Sequence, residues 1–380
     1  MRNYTKRMAN LRDRARRIAE ALRPEAARID ADDLFPPALL ERLWEEGFMT
    51  LRAPRSLGGG GAGLVETAVA VEELARGCGA AGLLVLLQAL GMTAIFEAAD
   101  EKKGAALIGR LTERREMCAF ALSEPEPAAG EKTRVTTARK QKAEYVLEGK
   151  KTFVSGGRDA DLAVVFAVTS PKAGLRQALS AFVVPAGTTG MLPGRELPKS
   201  GLRGVPASEL VFAGCRLPSS ARLGRPGEGY GAARGAIVSC LPLLSALATG
   251  LLREALDLML GLARERAESP TLFSEFQAVE LTLAEMAAGL DQARGLGFSA
   301  ASALEEGAAE GERLAREAKW LSTEAAVNGI DLAARLLGVE GSLRGGKLER
   351  LGRDARTCQI MLGPNHLHRL EAARRLLAGR

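Results

Sequence analysis

Few side chains in this sequence can hold or release a proton near neutral pH, and their placement limits the chemistry on offer. There are 2 histidines, His366 and His368, both near the C-terminus. Imidazole is the side chain whose ordinary pKa lies near pH 7. His366 falls one helical turn past Leu362 and is a candidate general base; a solvated helix face is the competing reading. The 5 cysteines, Cys78, Cys118, Cys215, Cys240 and Cys358, are widely spaced in apolar surroundings. No C-x-x-C pair occurs, so neither a metal site nor a disulfide framework is indicated. Cys240 has no basic neighbour in sequence to lower its pKa and reads as packed core rather than as a nucleophile. The stretch from Gly229 to Arg253 contains no Asp, Glu or His at all.

Whatever these groups do, a β-rich middle between two helical stretches must position them. Residues 1–116 read as helices. Pro36-Pro37 opens a short one with Leu39, Leu40, Leu43 and Trp44 on one face, and Gly47 stops it. The run Ser56 to Gly63 (SLGGGGAG) follows no strand, so it is expected to be a flexible connection rather than a dinucleotide loop. Residues 117–224 carry the strand patterns. Cys118–Leu122, Ser180–Val184 and Glu209–Phe212 are three of them. Tyr145-Val146-Leu147, a turn at Glu148–Lys151 and Thr152–Ser155 form an expected hairpin, and Leu162–Val168 follows as a further strand. Residues 225–380 return to helix. Ser274-Glu275-Phe276-Gln277 resembles a capping box, and Val279, Leu283, Met286, Leu290 and Ala293 mark a buried stripe. The expected architecture is therefore α+β and multidomain: an N-terminal helical domain, a central β-barrel or sandwich, and a C-terminal four-helix bundle.

Composition narrows the class. With 47% hydrophobic and 26% charged residues in 380, the chain can bury a large core. The net charge of +6 is spread along helices, and aromatics are only 4%, which argues against nucleic acid. Gly77 to Phe96 is uncharged and as long as a membrane span. Its glycines, Gln88 and Thr93 favour a helix buried in protein, so no membrane span is expected. The N-terminal Arg2–Arg17 stretch contains Asp13 and runs on as helix, so it is not read as a transit peptide, and the cytoplasm is the expected compartment.

The motifs, taken in order, point to one family. Met117-Cys118-Ala119-Phe120-Ala121-Leu122-Ser123-Glu124-Pro125 resembles the "CA...TEP" signature of the acyl-CoA dehydrogenases. Lys151-Thr152-Phe153-Val154-Ser155-Gly156-Gly157 with Ala160-Asp161 is similar to "K-W-I-T-N...AD". Gly201-Leu202-Arg203-Gly204, Glu209–Phe212 and Pro218 follow the "G-x-R-G...E-L-V-F" segment, and Arg353–Arg356 with Gln359-Ile360 matches "RDA...QI". The resemblance implies FAD held between the β-domain and the C-terminal bundle of a homotetramer, with an electron-transfer flavoprotein as redox partner. It implies flavin contacts from Phe120, Leu122, Ser123, Phe153 and Ser155. Phe153 and Ser155 stand where the family has Trp and Thr, keeping an apolar ring for stacking and a hydroxyl. It further implies Arg266 on the FAD pyrophosphate of a neighbouring subunit, Gly338 near the adenosine end, and a cofactor contact from His366. Val339 stands where the family has a second glycine.

The same resemblance exposes a gap. Dehydrogenation of an acyl thioester needs a base for the α-proton while hydride leaves the β-carbon. The family's usual Glu follows "QI", where this chain has Leu362 in Met361-Leu362-Gly363-Pro364. The alternative position, on the first helix after the β-domain, falls on Cys240, followed by Leu241 in place of the usual Arg. The acidic residue that often holds the CoA end corresponds to Val238. Three functions stay open. One is an oxidoreductase of fatty acid metabolism, dehydrogenating an acyl-CoA or acyl-carrier thioester with a displaced base. Another is a base-less subunit pairing with an active paralogue. The last is a flavoprotein whose substrate has an already acidic proton.

Overall fold

A computed structural model describes residues 2–125, 135–265, 267–268 and 271–378. The N-terminal part contains α1 (Arg2–Leu22), α2 (Ala26–Ala31), α3 (Pro37–Glu45), α4 (Leu64–Gly77), α5 (Gly79–Ala98) and α6 (Glu101–Glu113). Helix α1 buries Leu11, Ala15, Ile18 and Leu22, a stripe at helical spacing. Helix α3 has Pro37 in its first turn, and Gly47 turns the chain away at φ 72°. The glycine run is not a loose connection. Gly60 N–H donates to Thr50 O at 3.0 Å and Gly61 N–H to Ala53 O at 2.8 Å. Arg7 donates to the carbonyls of Gly60 and Gly61 at 3.0 and 2.9 Å. An arginine from α1 thus ties down backbone that composition alone marks as mobile.

The β-rich middle holds β1 (Cys118–Ala121), β2 (Thr137–Gln141), β3 (Glu144–Ser155), β4 (Leu162–Val168), the short helix α7 (Leu175–Ala178), β5 (Leu179–Pro185), β6 (Met191–Leu197), β7 (Ala207–Pro218) and β8 (Arg222–Leu223). They form one mixed 8-stranded sheet in the order β6-β7-β3-β2-β4-β5-β8, with β1 parallel to β4. Alternate residues of β1, β2, β3, β4, β5 and β7, among them Ala121, Leu147, Val165, Phe182 and Phe212, enclose a core of their own. The opposite residues Cys118, Leu162, Val164 and Phe166 join the main helical core.

The expected hairpin within Glu144–Ser155 is instead one strand of 12 residues. Gly149, at φ 134°, forms a bulge where the register with β7 shifts, so the chain kinks without reversing. The true hairpin joins β2 to β3 with Gln141 opposite Glu144, turning at Lys142, φ 53°.

The C-terminal part has α8 (Gly229–Glu265), the two-residue strands β9 (Ala267–Glu268) and β10 (Thr271–Leu272), α9 (Gln277–Glu305), α10 (Gly311–Leu336), a 3-10 turn at Gly338–Ser342, α11 (Lys347–Ile360) and α12 (Asn365–Leu377). Helices α8 to α11 pack on one another as a bundle, with Ser245 and Ser322 hydrogen-bonded at 2.5 Å inside it. Helix α9 buries Val279, Met286, Leu290 and Ala293. It starts at Gln277 behind Phe276, while Ser274 belongs to a preceding 3-10 turn and makes no cap. Helices α5 and α8 are each apolar enough to cross a membrane by length and composition, but protein covers 89% and 83% of their apolar windows. They are core helices. Gly91 lets α5 lie directly on β1, since a Cβ there would come within 2.7 Å of Cys118 O.

Gly149→Ala tests the bulge. Its Cβ would sit 2.6 Å from Thr136 Cα in a backbone conformation side chains avoid. A loss of about 1–3 kcal/mol is expected, read as a lowered urea midpoint; an unchanged midpoint would show that the strand tolerates a straight register.

Candidate functional site

The sheet gathers the strand residues at one place. Phe120 and Leu122 flank Ala121, which points into the sheet core, and they pack instead against the helical core. Phe166, fully buried, lies behind Phe120 with ring centroids 5.1 Å apart. Thr152 N–H donates to Ser123 O at 2.9 Å, joining the end of β1 to β3 directly before Phe153. On β3, Val154 turns into the sheet core while Phe153 and Ser155 share the other face. Phe153 is 69% exposed and adopts φ 52°, although its neighbours Thr152 and Val154 are buried. A left-handed conformation on a non-glycine strand residue is strained, and here it displays an aromatic ring.

A buried ion pair holds this junction. Lys151 Nζ donates to Leu122 O at 3.0 Å and to Glu124 Oε1 at 2.6 Å, with the Lys151 side chain 1% exposed. Glu124 Oε1 also accepts from Thr136 N–H at 2.9 Å. Burial pulls the Lys151 pKa down, and the Glu124 charge and hydrogen bond oppose it. By sequence pattern Lys151 falls in a turn and Glu124 only within a motif, whereas Lys151 lies inside β3 and pairs with Glu124.

The second half of the site is the turn between α11 and α12. Leu362 adopts φ 52° and Gly363 φ 102°. Lys319 Nζ donates to Gln359 O at 2.8 Å, Gly363 O at 2.7 Å and Asn365 Oδ1 at 2.8 Å. Burial lowers Lys319 to about 7, but three acceptors call for three N–H groups, which only the ammonium supplies. His368 Nε2 lies 3.1 Å from both Leu362 O and Gly363 O, and Nδ1 lies 3.3 Å from Arg316 Nη1. Carbonyls only accept and guanidinium only donates, so the proton sits on Nε2 and Nδ1 accepts. Burial lowers the His368 pKa to about 4, with the Lys319 and Arg316 charges adding to it. The ring is therefore neutral, with both nitrogens engaged, and holds the turn rather than abstracting a proton. The sequence singled out His366, which the structure leaves exposed on α12. His368 shares a helix face with buried Ala372, and His366 points away from it.

The two positions at which the resemblance expects a base lie in apolar packing. Leu362 is half-buried, packed against the main core and against a small cluster of α8, α9 and α10 that includes Val238, Leu241, Ala300 and Ala318. Cys240 is 1% exposed, and burial pushes its thiol up to about 12 despite the Arg52 charge and the Thr93 hydroxyl. It is a protonated core cysteine. Gly338 ends α10 at φ 60° in open space, with Val339 79% exposed beside it. Gly338 and His366 are not among the residues gathered at β1 and β3: the 3-10 turn packs on α10 and α11, and α12 on α10. Arg266 lies outside the described residues.

Three family models match in chain order. They are the acyl-CoA dehydrogenase N-terminal domain over residues 5–114, the middle domain over 119–215 and the C-terminal domain over 227–377. The chain belongs to the acyl-CoA dehydrogenase family. It is 32% identical to an acryloyl-CoA reductase (NADH) of Anaerotignum propionicum over 99% of this chain and 95% of that protein. The butyryl-CoA dehydrogenase structure from Megasphaera elsdenii superposes with a TM-score of 0.92 at 26% identity, covering 97% and 98% of the two chains. A chain from the structure of the electron transferring flavoprotein of Acidaminococcus fermentans also gives 0.92, at 28% identity and 97% coverage of both.

Acyl-CoA dehydrogenases are FAD-dependent. The junction of β1 and β3 fits such a group: a displayed aromatic plate, Phe153, lies near the partly exposed Ser155, and its neighbour Thr152 is bonded to exposed Ser123. A planar apolar ring with a hydrogen-bonding edge is complementary to that set.

The neutral His368 makes the turn acid-sensitive. Its folded pKa, about 4, lies below the ordinary 6.5. The unfolded chain binds the extra proton first, so this contribution is complete above pH 6.5 and is lost as pH falls to about 4. His368→Gln is expected to flatten that part of a melting-temperature profile between pH 7 and 4. A slope equal to that of the unmodified protein would refute the assignment.

Proposed function

We propose that this acyl-CoA dehydrogenase-like flavoprotein catalyses α,β-dehydrogenation of an acyl thioester, or its reverse, with no carboxylate base at Leu362 or Cys240. The observation that carries the reading is the junction at Ser123 O and Thr152 N–H, which sets Phe120, Leu122 and Ser123 beside Phe153 and Ser155. FAD, when bound there, supplies the hydride acceptor or donor. Phe153 offers its ring as a stacking plate, and the Ser123 and Ser155 hydroxyls offer hydrogen bonds to a polar edge. Phe120 and Leu122 back the site and exclude water. The thioester reading draws on the likeness to the acryloyl-CoA reductase and the butyryl-CoA dehydrogenase. The Acidaminococcus chain supports an electron-transferring flavoprotein as redox partner.

On a division into 1–116, 117–224 and 225–380, FAD would lie at a site between the second and third units. Arg266, donated from a second copy of a homotetramer, completes it at the pyrophosphate, with Gly338 and His366 toward the rest of the cofactor. Leu281, Val339 and Ile360, 65%, 79% and 68% exposed, offer apolar surface for such copies.

An absent base limits the α-proton step. A positioned general base contributes about 10²–10⁴-fold. A substrate with an already acidic α- or γ-proton escapes the limit by releasing it to solvent or to His366. The apolar packing of Leu362 and the buried Cys240 also favour a second reading, a base-less subunit paired with an active paralogue.

The purified protein is expected to carry FAD, and saturated straight-chain acyl-CoA should bleach its absorbance slowly or not at all. Leu362→Glu should raise that rate, because the αL turn that now presents Leu362 would present a carboxylate. Rapid bleaching by the unmodified protein would show a base elsewhere, and His366→Ala would locate it or exclude it.

Phe153→Ala separates cofactor binding from folding. An exposed ring contributes little to the core, whereas fully buried Phe166 should cost about 3–5 kcal/mol on truncation. Phe153→Ala should therefore weaken FAD retention while leaving the melting temperature of the FAD-free protein nearly unchanged. A large fall in that melting temperature would make Phe153 structural.

A further inference from the structure

Two motifs of the sequence, Gly201–Gly204 and Arg353–Arg356, take no part in the site described above, yet the fold brings them together. Leu202 N–H donates to Asp354 Oδ1 at 2.5 Å. Leu202 is fully buried and left-handed at φ 52°, a conformation that costs a non-glycine residue energy. Lys199 grips the same residue from its other end, donating to Leu202 O at 2.7 Å and to Val205 O. The glycines let this loop close in. A Cβ on Gly201 would come within 2.3 Å of Arg353 O, and one on Gly204 within 2.3 Å of Ile29 Cγ2. Arg353 adds a bond to Ser200 O at 2.6 Å.

Both sides of this contact run on into the site. The loop leads directly into β7, whose Ala207 and Ser208 pair with Ser155 and Val154, and Pro206 O accepts from Gly156 N–H at 2.7 Å. Its position therefore sets the stretch of β3 that displays Phe153. Asp354 belongs to α11, which ends at Ile360 and opens into the turn at Leu362. Phe153, Leu202 and Leu362 all adopt φ 52°. Such strain persists where the surroundings over-determine the backbone, and the Leu202 bond ties the chain of the first to the chain of the third.

The charge on Asp354 is held at a cost. Its side chain is 5% exposed, and Oδ2 faces the start of α5, 3.1 Å from where a Cβ on Gly79 would lie. The helix N-terminus favours a negative charge there, as does Arg350 one turn earlier on α11. Burial still raises the Asp354 pKa to about 6 from the ordinary 3.8. The folded protein thus holds this proton more tightly, and that contribution to stability is complete below pH 3.8 and lost as pH rises through about 6. Above pH 6 the charge is kept against stability, and what it provides is a stronger bond to Leu202 N–H. The groups around it are otherwise engaged. Asp30 pairs with Arg353, Asp33 with Arg203, Glu254 with Arg23 and Arg76 with Asp257. Burial raises Cys78 to about 11 and Cys358 higher still, so both stay protonated, and Lys199, lowered by burial to about 8, stays charged while Asp354 titrates.

We propose that Asp354 is a positioning residue: as a carboxylate on Leu202 N–H it fixes the Phe153 stretch of β3 relative to the turn at Leu362, and its protonation loosens the hold on FAD. The proposal rests on the reading of Phe153 and Ser155 as the flavin face.

FAD release from the loaded protein, followed by flavin fluorescence at pH 7.5 and pH 5, tests this with Asp354→Asn, which keeps an acceptor and removes the charge. The unmodified protein should hold FAD about 10-fold more tightly at pH 7.5 than at pH 5, the scale of one charge-assisted hydrogen bond. Asp354→Asn should hold FAD at pH 7.5 as weakly as the unmodified protein does at pH 5. Its melting temperature without FAD at pH 7.5 should be equal or higher, because a buried charge is gone. A lower melting temperature or an unchanged pH dependence makes Asp354 merely structural and overturns the proposal. Hydrogen exchange at pH 7.5 needs no cofactor, and the variant should exchange faster in 199–206 and in 153–157 together. Faster exchange confined to 199–206 also overturns it. Should the variant not fold, the same paired loosening is expected in the unmodified protein between pH 7.5 and pH 5, corrected for intrinsic rates. If Phe153→Ala holds FAD as tightly as the unmodified protein, the flavin-face reading fails, while paired loosening in exchange leaves the Asp354 tie standing.

Discussion

The buried pair of Lys151 and Glu124 is the interaction on which the junction of β1 and β3 depends. Strand β1 ends just before Leu122 and Ser123, and nothing in its own short ladder with β4 fixes those two residues. Lys151 reaches from β3 to Leu122 O and Glu124, while Glu124 reaches on to the backbone of Thr136. One ammonium thus sets the end of β1, the start of β2 and the middle of β3 relative to one another. Removing one partner of such a buried pair leaves a charge without compensation, which costs about 3–5 kcal/mol. The strained φ of Phe153, two residues on, persists because the surroundings on both sides are already determined.

The turn between α11 and α12 is built on the same principle with a different result. Lys319 and His368 supply donors to four acceptors around Leu362 and Gly363, so the backbone is held as firmly as in a site built for precise work. The side chain it presents is nevertheless leucine, in a left-handed conformation that costs a non-glycine residue energy. Polar donors thus hold the backbone of a turn whose displayed side chain is apolar. The cluster it packs against, which contains Val238 and Leu241, is apolar.

Arg316 joins this turn to Glu312 at the start of α10, because its guanidinium bonds His368 with one arm and Glu312 with the others. Glu312 and His368 therefore share one rigid planar cation. A guanidinium suits this role, since it stays charged and its fork fixes the direction of each hydrogen bond.

Local pattern in the sequence was enough for much of the chain. Helices α3, α5 and α9 and strand β4 follow from spacing and turn residues, which act over a few residues. Tertiary structure decided the rest. Gly149 reads as a turn residue, but pairing with β7 makes it a bulge in one long strand. His366 and His368 are equivalent by composition, and only the packing of α12 on α10 buries the second. The clamp between Lys151 and Glu124 spans 27 residues, and the contact between Arg316 and His368 spans 52. Whether a charged side chain meets its partner, or a serine its ring, is set by contacts across such separations. Those contacts exist only once the apolar faces have packed, and no short window of sequence contains both ends of them.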